Sequence, residues 1–279
     1  MKTILVPTEN TTGTKSALEM AVLLARRCDA YIEGFPLRFA LPPYVVAELT
    51  VGFTLNDYAV QRDEEAAELR RIFEALMQEH GIPPSGTTPE RPAFGWLAST
   101  PEDESFIGNY GRAFDVTVMN RLGTNSTSLH QRTIETSLFE SGRPVLLAPP
   151  AVPRQIATNI MIHWNGSTEQ ARTNAFAMPL LRLAERVTVL TVVDGQEVPG
   201  PSADDIIRQL QHNGIPAKPL RVKLGDRSTG EAVLDAARAE GCDLLVKGAF
   251  TRNRLRQMIF GGATSHIMEY ADLPVLMAH

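Results

Sequence analysis

The sequence predicts an α/β protein made of two doubly wound, Rossmann-like parallel-sheet domains in tandem. Three observations predict it. Short apolar runs alternate with helix-spaced amphipathic segments along the whole chain, the pattern of βαβ units with right-handed crossovers. That order runs once to about residue 150 and then begins again. Two pairs of segments also correspond across the halves: Asp115–Met119 with Asp243–Lys247, and Arg143–Ala148 with Leu273–Ala278. A length of 279 residues suits two domains. We place them at 1–150 and 151–279, joined at Pro149, Pro150 and Pro153.

In the first half, Thr3–Val6 reads as a buried strand, followed by a loop to Gly13. Ala17, Leu18, Ala21, Leu24 and Ala25 recur at helical spacing, with Thr12 or Thr14 as the expected cap. Ala30–Phe35 reads as a second strand and 36–55 as an irregular loop. Asp57–His80 reads as a long helix whose solvated face carries Glu64, Glu68, Arg70 and Arg71; Gly81 stops it. Ala93–Leu97, Asp115–Met119 and Pro144–Leu147 read as strands, and Ser105–Gly111 and Ile134–Ser141 as helices.

In the second half, strands are expected at Asn159–His163, Val187–Val193, Leu220–Leu224, Leu244–Val246 and Pro274–Met277. Helices are expected at Glu169–Leu183, Ala203–His212 and Gly230–Glu240, and another opens at Ala263-Thr264. Pro179 should kink or split the first of these.

Composition narrows the function. Hydrophobic residues make up 43% and charged residues 21% of the chain, as in globular proteins. A net charge of -5 argues against a nucleic-acid partner. Cys28 and Cys242 are far apart and form no metal or redox motif, so buried or half-buried thiols are expected. No stretch reads as a leader or a membrane span, so we expect a cytoplasmic protein with no membrane contact. The sequons at Asn10, Asn125 and Asn165 then carry no glycan. The segment 225–230 has the outline of a phosphate loop, but Glu231-Ala232 stand where lysine and a hydroxyl residue are needed. No dinucleotide fingerprint, metal-ligand cluster or nucleophile elbow is present. We therefore expect no catalytic residue and no metal.

The stretch 244–279 carries the chemistry. An apolar run stops at Gly248. A basic segment follows, with Leu255, Met258 and Ile259 spaced among Arg252, Arg254 and Arg256. Gly261-Gly262 break it, and a helix opens at Ala263-Thr264. Glycine permits close approach of a ligand to backbone, and free N–H groups at a helix start favour an anion.

This stretch resembles the nucleotide loop of the universal stress protein family. That pattern is glycine, two residues, glycine, nine residues, then glycine followed by serine or threonine. Gly248 and Gly261 occupy the first and third glycine positions. Thr251 replaces the second, Gly262 replaces the serine or threonine, and Thr264 matches the hydroxyl residue that often follows. The resemblance covers essentially the whole chain. It implies strand order 3-2-1-4-5 in each domain, with the two fifth strands pairing into an internal pseudo-dimer; a further homodimer is left open. It also implies a site for ATP or a related adenine nucleotide in the second half.

That site would comprise His163, Trp164, Asn165, Val192, Gly248, Thr251, Gly261, Gly262, Ala263 and Thr264. Asn165 stands where the family has an adenosine-contacting aspartate, and backbone near Val192 would also take part. Trp164 has two readings, base stacking or packing. His163 reads as structural and Ser167 as a helix cap. In the first half Glu9 stands at the aspartate position and no glycine pair precedes its last helix, so that half reads as a structural partner. Two functions stay open: a nucleotide-binding regulator of stress response, or a scaffold of the same fold that binds no nucleotide. Slow ATP hydrolysis is the weakest alternative, because no base or metal ligand is identified.

Overall fold

The structure, a computed structural model, describes residues 1–9, 13–38, 55–86, 91–103, 105–123, 126–195, 198–250 and 262–279. Ten strands form one sheet. They are β1 (Thr3–Thr8), β2 (Tyr31–Pro36), β3 (Ala93–Trp96), β4 (Val116–Asn120), β5 (Val145–Ala148), β6 (Asn159–His163), β7 (Arg186–Val193), β8 (Lys218–Lys223), β9 (Leu244–Gly248) and β10 (Val275–Ala278). Their order is β3-β2-β1-β4-β5-β10-β9-β6-β7-β8. Counted within each half, this is 3-2-1-4-5 twice. Every pairing is parallel except β5 with β10, which is antiparallel in the register Leu147 to Val275, Leu146 to Leu276 and Val145 to Met277.

Eight helices are described: α1 (Thr14–Cys28), α2 (Leu55–Glu79), α3 (Phe106–Gly111), α4 (Ser128–Glu140), α5 (Thr168–Leu181), α6 (Ala203–His212), α7 (Thr229–Ala239) and α8 (Ala263–Tyr270). They cover both faces of the sheet, which is why the central strands are apolar throughout rather than alternating. One core layer takes Ile4, Val6, Leu18, Phe73, Leu146, Ile162, Leu180, Val246 and Leu276. The other takes Leu5, Phe35, Ile134, Leu147, Met161, Val192, Leu245, Ile267 and Met277. Both layers run across the β5–β10 seam. Among the described residues, no helix is long and apolar enough to cross a membrane.

Several boundaries differ from expectation for local reasons. The N-cap of α1 is Gly13, with no side-chain cap bond. Thr14 lies inside the helix and its hydroxyl donates to the Glu9 carbonyl, while Thr12 lies outside the described residues. Helix α4 starts six residues before Ile134, because the Thr127 side chain accepts from the His130 N–H and caps a polar first turn that has no apolar periodicity. Pro179 falls in the last turn of α5, and the helix runs through it to Leu181. A proline there removes one backbone bond near the end, where the helix is already running out. Strand β9 continues through Lys247 to Gly248. The basic segment 252–259 and most of the loop 36–55 lie outside the described residues.

Leu276 is fully buried and faces Leu146 across the seam. Leu276→Ala should lower unfolding free energy by about 2–5 kcal/mol, read as a shift in the urea midpoint.

Candidate functional site

In the second half, β6 lies between β7 and β9. Strand order reverses there, so the helices that follow β6 and β9 leave on opposite faces and open a crevice beyond the strand ends. The residues at those ends are His163 to Ser167 after β6, Val192 near the end of β7, and Gly248 with the start of α8 after β9.

Side chains alternate along β6. Ile162 and Trp164 enter the core layer under α5, while Met161 and His163 face the α7–α8 side. Trp164 is 4% exposed and its indole N–H donates to the Pro201 carbonyl at 2.8 Å. Of its two readings, packing is the one the geometry matches. The Asn165 side-chain oxygen accepts from the Ser167 hydroxyl at 2.8 Å and from the Ser167 N–H at 3.2 Å. The Asn165 carbonyl accepts from the Val198 N–H at 3.0 Å. Ser167 caps α5 by accepting from the Gln170 N–H at 3.1 Å. Gly166 has φ 80°, and a Cβ there would stand 2.5 Å from the Val198 carbonyl oxygen, so only glycine lets this segment pack so closely. A pocket of about 410 Å³ opens beside these contacts, lined by Asn165, Thr191, Val193, Asp194, Ser202 and Arg221. Val192 is buried below it, and its carbonyl accepts from the Gly195 N–H at 3.1 Å.

The β9 side is built differently. The Gly248 N–H donates to the Gln170 side-chain oxygen at 2.6 Å, and a Cβ on Gly248 would meet the Gln170 backbone nitrogen at 2.5 Å. Gln170 in turn donates to the Asn174 side chain at 2.8 Å. Gly248 thus lets the amino end of α5 close onto β9, a packing role that its place in the glycine pattern does not announce. Lys247, one residue earlier, points to the opposite face beneath α8. Its ammonium is buried, 3% exposed, and donates to the Gly248 carbonyl at 2.8 Å and the Thr264 hydroxyl at 3.0 Å. Burial pushes its pKa down to about 8. His163, its neighbour on β6, is also 3% exposed. Burial first, and the Lys247 charge second, hold its pKa down to about 3, so the ring is neutral. Among the described residues, its Nδ1 has no hydrogen-bond partner. Helix α8 opens at Gly262, with φ 96° and ψ -164° and no side-chain cap. Ala263 and Thr264 follow as its first two residues, both buried. Thr251 and Gly261 lie outside the described residues.

The matching crevice of the first half is filled by its own side chains. His130, at the start of α4, is buried with Nδ1 3.4 Å from the Glu9 carboxylate and Nε2 3.0 Å from the Asn120 carbonyl. The Asn120 side chain lies where a Cβ on Gly13 would be, at 2.5 Å. Burial works against charging His130. The Glu9 hydrogen bond and charge, with the Asn120 and Arg121 carbonyls, outweigh it and raise its pKa above the usual histidine range.

Residues 158–279 match the family model of the universal stress proteins. The second half of the chain belongs to the universal stress protein family. The whole chain shares the fold of a universal stress protein from Archaeoglobus fulgidus DSM 4304, at 13% identity over 99% of this chain and 97% of that one, with a TM-score of 0.74. It is similar too to a putative universal stress protein from Pseudomonas aeruginosa UCBPP-PA14, at 14% identity over 100% and 93% of the two chains, with a TM-score of 0.51. No curated protein matches the chain. The structure brings together His163, Trp164, Asn165, Val192, Gly248, Gly262, Ala263 and Thr264 at one set of strand ends. Sequence reasoning missed Lys247, Gln170 and His130. A lysine closing an otherwise apolar strand was the available signal for the first.

His130 binds its proton more tightly folded than unfolded, so its contribution to stability is fully present below its ordinary pKa near 6.5 and is lost as pH rises through the raised value. Between pH 6 and pH 9, wild type should therefore lose urea midpoint relative to His130→Gln. Parallel midpoints would show that the pair does not form.

Proposed function

We propose that this universal stress protein is a cytoplasmic stress-response regulator. Its residues 151–279 bind ATP or a related adenine nucleotide, and its residues 1–150 serve as a structural partner. The observation that carries the reading is the start of α8. A helix that opens at a positive-φ glycine without a side-chain cap, at the point where strand order reverses, is a natural phosphate seat. The pocket beside Asn165, Thr191 and Asp194 gives room for the nucleoside on the β7 side. In the first half, Glu9, at the position of the family's adenosine-contacting aspartate, is paired with His130.

A second reading has its own support. Asn165 directs its side-chain oxygen at Ser167, the Val192 carbonyl is bonded to Gly195, and Trp164 is committed to Pro201. A scaffold of this fold that binds no nucleotide would use the same contacts simply to hold its loops. Among the described residues, no group of three or more His, Cys, Asp or Glu side chains is placed to hold a metal, and no catalytic role is proposed.

Calorimetric titration with ATP, ADP and AMP separates the readings. Gly262→Val forces a β-branched residue into φ 96° and should weaken nucleotide binding at least about tenfold while far-UV circular dichroism stays native. Equal affinity in the variant would remove α8 from the site, and no heat from wild type would favour the scaffold.

A further inference from the structure

Strand β2 places an acid on a face that it otherwise buries. Its side chains alternate: Ile32 enters one core layer, Phe35 the other, and Glu33 shares the face of Phe35. The Tyr31 hydroxyl donates to one Glu33 carboxylate oxygen at 2.7 Å, and the Tyr110 hydroxyl donates to the other. Among the described residues these two neutral phenols are its hydrogen-bond partners. Burial first, then the Glu33 hydrogen bond, holds both phenols above the usual tyrosine range, Tyr110 at about 12, so both remain donors at neutral pH. On β3, Gly95 is the residue paired with Glu33. A Cβ there would lie 2.1 Å from the Tyr31 hydroxyl oxygen. Gly95 has no positive φ, so glycine serves here for room rather than for conformation. The room is part of a pocket of about 380 Å³ lined by Tyr31, Glu33, Gly95, Trp96 and Tyr110. The rings are held from behind: Tyr110 stacks on Phe106 at 5.1 Å between centroids, and Trp96 packs on Phe73 at 5.2 Å. Arg70 and Glu74 also reach the lining, bonded to each other at 2.8 Å. Among the described residues, Glu33 is thus the charge in this pocket without an ionic partner. The crevice residues Glu9, Gly13, Asn120 and His130 are not part of its lining.

The geometry points to a binding site for a small organic amine in this pocket, with the Glu33 carboxylate holding the protonated nitrogen and the Tyr31, Trp96 and Tyr110 rings forming the walls around its carbon skeleton. A carboxylate has about four lone-pair positions, and the two phenols fill two of them. An ammonium brings N–H donors to the others, in a charge-assisted bond about twice as strong as a neutral one. Aromatic rings attract the same cation through their faces. An anion would meet repulsion from Glu33, and a neutral ligand would leave its charge unmatched. The volume lies within the ordinary range of small-molecule pockets, about 300–1,000 Å³. The site belongs wholly to residues 1–150 and does not rest on the nucleotide reading. It gives a binding role to the half which that reading leaves as a structural partner.

The test uses the full chain with isotope-labelled tyrosine, whose five residues give few enough ring signals in an NMR spectrum to follow singly. Phenethylamine and, as an anion of like shape, phenylacetate are titrated at neutral pH and matched ionic strength. In wild type, phenethylamine should move the Tyr31 and Tyr110 signals to saturation, and phenylacetate should not. Glu33→Gln keeps the shape of the side chain and removes its charge. It should weaken phenethylamine about tenfold or more with native far-UV circular dichroism. Gly95→Ala keeps the carboxylate and sets a methyl group against the Tyr31 hydroxyl. It should weaken the amine too, and it decides the matter alone if Glu33→Gln does not fold. An acid kept only to order the two phenols predicts no saturable shift in wild type up to about 10 mM amine, and that result overturns the proposal. Equal amine affinity in wild type and a folded Glu33→Gln overturns it as well. So does phenylacetate binding as tight as that of the amine, which would mean apolar contact without recognition of charge.

Discussion

The antiparallel pairing of β5 with β10 is the contact on which the rest of the molecule depends. Each strand has four residues, all buried, and each would otherwise end a parallel sheet with an open apolar edge. Joined, they turn two five-strand sheets into one of ten. The two core layers become continuous across the seam, so burial in one half supports the other. The pairing also sets where the crevices lie. Because β5 and β10 run in opposite directions, the carboxyl ends of β1 and β4 point away from those of β6 and β9. One chain therefore presents two crevices facing opposite ways, and each diverges without obstructing the other.

Helix α8 ties the second crevice to the seam. Its amino end holds Gly262, Ala263 and Thr264 over Lys247. Near its carboxyl end, the Arg121 guanidinium from the first half donates to the Glu269 carbonyl, the favourable placement of a cation at the negative end of a helix. With eight residues, the helix is about 12 Å long at 1.5 Å per residue. Residues of both halves, Leu122, Gly123, Ser126 and Gln131 with Ser265 and Glu269, line a small pocket alongside it. The element that opens the candidate site is thus held at its far end by the other half, with no flexible linker between the two attachments.

The architecture was legible because it rests on repeated patterns. Apolar runs gave the strands, spacing gave the helices, and the likeness of 143–148 to 273–278 marked the two seam strands. What was not legible depends on which neighbour a residue meets. Ser128-Leu129-His130 has no apolar period, so the start of α4 shows only once Thr127 is seen capping it. Gly248 reads as punctuation in sequence, yet β9 runs through it and its missing side chain admits the amino end of α5. Trp164 looked equally suited to stacking and packing until Pro201, 37 residues away, took its N–H. Lys247 follows an apolar run, and nothing local says that α8 will cover it.

The two crevices differ most in how each handles charge. In the first, an acid and a base supplied by the chain neutralise one another: Glu9 raises the proton affinity of His130, and the imidazole in turn satisfies the carboxylate. Such a crevice has little left to offer a charged ligand. In the second, the position matching Met119 of the first half is Lys247, and the residue that could have balanced it, at the end of β6, is a neutral histidine. Glu169, on the opposite face with α5, is not among the groups that shift Lys247. A methionine at 247 would have filled the same space at no electrostatic cost, as Met119 does beside the pair that closes the first crevice. The same fold therefore carries one crevice whose charges cancel internally and one whose buried ammonium meets no described carboxylate.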